Sequence, residues 1–137
     1  MKYLPIVIIM TLLLIALERG TLPKTTEEMK AEAIAYGQNL NKTTPPREFK
    51  QDGCTLFPDK VFGSDFSEAC LKHDIAYWHG GSEEERKKAD TELRLNIADS
   101  GISGYYLQYF VYYGTQIFGD TWLTRLFEAN WGFGWNE

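Results

Sequence analysis

Apolar residues are continuous in one place only. Residues 3–17, from Tyr3 to Leu17, form an apolar run of 15 positions behind Lys2. A membrane span needs about 20 such residues, so the run predicts a signal-peptide core. Leu17, Glu18 and Arg19 follow it without a small-x-small cleavage site, which leaves an uncleaved N-terminal anchor as the alternative. Residues 1–20 are therefore read as signal peptide or anchor, and 21–137 as one small domain beginning near Thr21.

Beyond that segment the apolar positions become periodic. Thr25 and Glu28 have capping-box spacing. Met29, Ala33, Tyr36 and Leu40 recur at helical intervals, predicting a helix to about Gln38. Asn41 to Pro46 ends it, since neither proline can continue a helix. Residues 47–66 carry Gly53, Pro58 and Gly63 with no period and read as an irregular loop. A second helix is predicted from Phe66 to about Trp78, capped by Ser64 or Asp65 and ended by Gly80-Gly81. Ser82 and Glu85 form another capping box, opening a third helix to about Asp99. The short link makes these two helices an antiparallel hairpin. Gly101 and Gly104 are read as a further break, and Tyr105 to Phe118 as a fourth helix. The class is mainly α, with little or no sheet.

Composition changes the picture at the C-terminal end. Twelve of the twenty aromatic residues lie in 105–137, so this region either completes the core or meets a bilayer interface, where Tyr and Trp sit well. The tail Trp131-Gly132-Phe133-Gly134-Trp135 reads as a packed or interfacial coil. Formal charge is −5. Loss of residues 1–20 removes Lys2, Arg19 and Glu18, leaving twelve basic and eighteen acidic residues, or −6. That argues against nucleic acid and against simple electrostatic attachment to anionic lipid. Repeats and a nucleotide-binding glycine loop are absent. Two cysteines, Cys54 and Cys70, are expected to pair in an exported chain; two unpaired buried thiols are the plainer alternative.

The second helix carries the chemistry. At about 100° per residue, Cys70, His73, Asp74 and Tyr77 share one arc of roughly 100°. A histidine can act as general base near neutral pH, and a carboxylate on its other nitrogen fixes its tautomer. Asp90 shares a face of the third helix with Leu93 and Ile97, so it is expected to face the core and to need a partner there. It is the candidate orienting acid for His73; a solvated residue paired with Arg86 or Arg94 is the alternative. Tyr77, one turn after His73, is placed to hydrogen-bond Asp90. Asp74 is the candidate metal carboxylate. A Cys54–Cys70 bridge would clamp the 52–57 loop onto this face, where Asp52 could add a carboxylate and Gly53 a carbonyl. Calcium, which accepts six to eight oxygens from irregular loops, suits such a donor set. The combination points to calcium-assisted ester hydrolysis. His79, at the helix end, is read as a residue favourable to the helix dipole.

Cys70-x-x-His73-Asp74-x-x-Tyr77 resembles the active-site helix of the secreted phospholipase A2 family, and the spacing of 16 between Cys54 and Cys70 matches that family's bridge between calcium loop and catalytic helix. Asp52-Gly53-Cys54, Pro58-Asp59, Phe62-Gly63 and Ala69-Cys70 resemble the bacterial and fungal branch most closely. Ala76-Tyr77-Trp78, Gly80-Gly81, Arg86 and Ala89-Asp90, with the aromatic tail, are similar to little-studied bacterial relatives. The resemblance is strong over about 52–93, weaker to the C-terminus and absent before 48. It implies a helical fold with two disulfide-clamped antiparallel helices and hydrolysis of the sn-2 ester of glycerophospholipids. It implies calcium on the Asp52 side chain, the Gly53 carbonyl and the Asp74 carboxylate, with His73 as base and Asp90 as its partner. Tyr77, Cys54 and Cys70 would be structural at the site. The partner implied is a phospholipid membrane or micelle, with no nucleic acid and no protein partner evident, in an exported or membrane-anchored protein. Thr55 and Phe57 stand where the animal enzymes' loop has glycines, Pro58 has no amide proton, and Ala69 replaces a second cysteine, so the backbone oxyanion donor is not fixed by the resemblance. Two other readings stay open. One is a catalytically silent relative that binds calcium or lipid at a membrane. The other is a membrane-anchored interaction protein in which the disulfide hairpin is structural.

Overall fold

A computed structural model describes residues 24–51, 53–54 and 57–136. The N-terminal segment read as signal peptide or anchor, and Asp52, lie outside the described residues.

Among the described residues there are five α-helices: α1 (Thr26–Asn39), α2 (Ser67–His79), α3 (Glu83–Asp99), α4 (Ile102–Phe118) and the short α5 (Trp122–Leu126). A 3-10 turn spans Phe133–Trp135. Lys60–Val61 (β1) and Ser64–Asp65 (β2) pair antiparallel through the two-residue loop Phe62-Gly63, whose φ values are both positive. That geometry matches the right-handed twist of a tight hairpin. Strands of two residues are too short to show alternation, which is why residues 47–66 read as loop throughout.

Both capping boxes form. Thr25 and Ser82 accept from the amides of Glu28 and Glu85, whose carboxylates reach back to the cap amides. At the start of α2, Asp65 Oδ1 accepts from the amide of Ser67 at 2.9 Å. α4 begins three residues earlier than its sequence suggests. Gly101 stops the chain, whereas Gly104 is buried inside the helix. A β-carbon there would overlap the carbonyl of Ile97, so Gly104 lets α3 and α4 meet backbone to backbone at their junction.

α2 divides the core. Leu71, Ile75 and Trp78 pack with Ala33 of α1, Phe49 and Phe133. Ala69 and Cys70 pack with Val61, Phe66, Leu93, Ile97 and Val111. Residues that meet across the α2–α3 hairpin have numbers that sum to nearly the same value: Cys70 lies in one cluster with Leu93, His73 bonds Asp90, and Tyr77 interacts with Arg86. Ascending one helix descends the other, as in an antiparallel pair. Gly80-Gly81-Ser82 makes the turn.

His79 departs in part from the sequence reading. It is buried, its Nε2 lies 2.7 Å from the carbonyl of Ala33, and Gly37 leaves room for its ring. It stands in the last turn of α2 as expected, but there it docks α1 onto α2. Burial holds its imidazole below the ordinary range.

Candidate active site

Cys54 and Cys70 form a disulfide. In the chain-entropy model a loop of this length stabilises by about 3 kcal/mol, and it fixes Gly53 and Cys54 against the first turns of α2. Asp59 assists: its Oδ1 accepts from the amide of Cys54 at 2.8 Å and lies close beside Gly53.

One turn further along, His73 Nε2 is 2.8 Å from Asp90 Oδ1. The carboxylate can only accept, so Nε2 carries the proton and Nδ1 is left as the basic nitrogen. The Tyr77 ring packs on the imidazole with centroids 4.1 Å apart, and its hydroxyl donates to the same Asp90 oxygen at 2.6 Å. Burial, then the charge of Asp90, pushes the Tyr77 phenol far above its usual range, so it remains a donor.

Asp90 has no exposed surface. A carboxylate so placed is tolerated only with several donors. Besides His73 and Tyr77, it accepts at Oδ2 from Gln116 Nε2 of α4 at 2.6 Å. Arg86 lies 3.9 Å from the same oxygen; hydrogen bonding to Glu83 is the main cause that holds its guanidinium charged. Asp90 thus pairs with Arg86 as the alternative reading had it, but it is buried and not solvated, and Arg94 bonds Gln108 instead. Gln116 was not legible in sequence. It is one polar side chain within an aromatic helix, and its partner is 26 residues away.

His73, Asp74 and Gly53 border one cavity of about 250 Å³. Its walls are otherwise mainly apolar, with Leu93, Phe110 and Phe118 among them. Gly119 closes the end of α4 beside the network: a β-carbon there would lie 2.5 Å from the Tyr77 hydroxyl. Asp74 Oδ2 is withdrawn from solvent. The Asp74 carboxylate bordering this cavity is a hard oxygen donor of the kind calcium takes. Among the described residues no cluster of three His, Cys, Asp or Glu side chains that could hold a metal is present. Asp52, expected as a further carboxylate ligand, lies outside the described residues. No described helix is long and apolar enough to cross a membrane.

The arrangement can do general-base chemistry. An imidazole with one nitrogen tied to a buried carboxylate and the other unassigned faces an apolar cavity, in company with hard oxygen donors. No family model matches the chain, and no solved structure matches it. Over 63 residues it is 33% identical to a secretory phospholipase A2 of Arthroderma benhamiae, a stretch covering 42% of this chain and 43% of that protein. The chain thus spans less than half the length of the curated relative it matches, and that similarity supports the phospholipase A2 superfamily at most.

Proposed function

We propose that the protein is an exported, calcium-dependent hydrolase of the phospholipase A2 type, nearest the bacterial and fungal branch, acting on the sn-2 ester of glycerophospholipids. The observation that supports this most is the contact between His73 Nε2 and the buried Asp90 carboxylate at 2.8 Å, at the wall of an apolar cavity. The similarity to a secretory phospholipase A2 supports the same reaction class.

His73 Nδ1 accepts a proton from a water molecule as that water attacks the ester carbonyl. Asp90 stays ionised and holds the imidazolium through Nε2–H. Tyr77 and Gln116 keep Asp90 in place by donating to its two oxygens. The proton then passes from His73 to the departing alkoxide, so that ester and water become a fatty acid and a lysophospholipid. The apolar wall excludes bulk water and receives acyl chain. Asp74 and the Gly53 carbonyl, with Asp52, would hold calcium. Bound there, calcium supplies positive charge against the phosphate and the developing oxyanion.

The test is fatty-acid release from phosphatidylcholine by the oxidised full chain, with calcium and with chelator. His73→Asn is expected to lower kcat by about 10²–10⁴ while calcium still raises the melting temperature. Asp74→Asn is expected to lose both responses. Turnover surviving in His73→Asn would sink the mechanism, and turnover in chelator would remove the metal. Calcium-linked stabilisation without any turnover would favour the silent binding module instead.

A further inference from the structure

Two glycines stand inside α4, Gly104 and Gly114, although glycine is among the least favourable residues in a helix interior. Gly104 has a steric reason, the carbonyl of Ile97 pressed against it. Gly114 has none. Its φ is not positive. Among the described residues, a β-carbon there would meet nothing within 4 Å beyond the backbone of α4 and the adjoining residues. Neither backbone conformation nor packing asks for a glycine at this position.

Its place supplies the reason. Gly114 is partly exposed and lies on the wall of the cavity that His73 and Asp74 border. Phe110 and Phe118, one turn to either side on the same stripe of α4, line that wall too and are 69% and 48% accessible. The missing side chain is thus a notch in an aromatic rim. At Gly53 and Gly119, the other glycines on the wall, a β-carbon would meet Asp59 or Tyr77, so neither marks an opening. The cavity itself, at about 250 Å³, falls below the roughly 300–1,000 Å³ of pockets that enclose a drug-sized ligand. A long acyl chain, with its ester and the attacking water, needs more room than that and has to leave through the wall.

We propose that Gly114 sets which fatty-acyl chains the site accepts: its notch lets a long chain run out of the cavity between Phe110 and Phe118. The inference deepens the proposed ester hydrolysis and rests on it for the identity of the ligand. A larger residue at 114 would stand in the path and turn the open groove into a closed end that selects short chains.

The experiment compares the oxidised full chain with Gly114→Ala and Gly114→Leu. Hydrolysis of dipalmitoyl and dioctanoyl phosphatidylcholine is measured at equal mole fraction in mixed micelles of one nonionic detergent, so that every protein meets the same surface. The ratio of kcat/KM, long chain over short, is expected to fall at least about tenfold in Gly114→Leu and less in Gly114→Ala. Gly114→Ala is also expected to melt about 2–5 °C higher, since the helix gains and no packing is lost. A second arm needs no turnover. Binding of palmitate and of octanoate, each below its micelle concentration, is measured by calorimetry on His73→Asn with and without Gly114→Leu. Affinity for palmitate relative to octanoate is expected to drop at least about tenfold. An unchanged chain-length ratio, in hydrolysis or in binding, overturns the proposal. A Gly114→Ala variant that melts lower overturns it too, because the glycine then serves the fold. Absence of hydrolysis in every protein, with the chain-length shift present in binding, upholds the notch and refutes the proposed reaction.

Discussion

Trp131, Phe133 and Trp135 lie within five positions of one another in the C-terminal tail, and each is fastened to the hairpin or to the core beside it. Trp131 donates its indole N–H to the carbonyl of Gly81 and meets Tyr77 edge to face. Trp135 donates to the carbonyl of His79, and Phe133 is buried beside Trp78. The backbone joins in: the amide of Gly132 bonds the carbonyl of Tyr77 at 2.6 Å. On α4 the same class of side chain is used oppositely. Tyr105 and Tyr106 meet edge to face and project from the surface, as Tyr113 does. Aromatic content therefore says little about role. In the tail the indole nitrogens find backbone acceptors, which identifies packing. On α4 the rings are presented outward beside a cavity, which identifies a surface that meets something else.

The contrast can be broken first at Phe133. Phe133→Ala is expected to cost about 3–5 kcal/mol by emptying a core site, whereas Tyr106→Ala should stay within about 0.5 kcal/mol. Urea denaturation of the two variants measures both; equal costs would erase the distinction. A smaller effect is expected at Gln116, the α4 residue that turns to the acid pair. Gln116→Leu leaves Asp90 Oδ2 short of a donor, and kcat/KM should fall about tenfold. Unchanged kcat/KM in Gln116→Leu would reduce Gln116 to packing. The smallest effect concerns acid. Burial depresses His79 from its ordinary 6.5, so the neutral ring contributes stability above 6.5 that is lost as pH falls from there through its folded value. The tail is anchored on His79, whereas α4 contains no carboxylate, imidazole or amine. Melting temperature in mild acid should therefore drop in the parent and be flatter in His79→Gln.

What was legible in the sequence is what depends on neighbours along the chain. Both capping boxes, the Gly-Gly-Ser turn and the inward face of Asp90 are local or periodic signals, and the structure has all three. The meeting of Asp90 with His73 followed from placing two periodic faces in one hairpin. The rest depends on contacts between segments. Gly104 reads as a breaker until Ile97 is seen against it. His79 reads as a cap until α1 covers it. Gln116 carries no signal of its partner. The aromatic C-terminal region allowed two readings because both packing and exposure occur within it.

The constant sum of partner numbers across α2 and α3 gives the turn between them the character of a ruler. Gly80-Gly81-Ser82 touches neither His73 nor Asp90, yet its length decides which residue of α3 stands opposite the imidazole. One residue more would advance α3 by about 1.5 Å and rotate it by about 100°, offering the imidazole a neighbour such as Ala89 or Thr91 in place of the acid. Chemistry at the cavity is thus written as a count of residues at a bend about two turns away. A chain of this design can vary its surface widely but cannot vary that count.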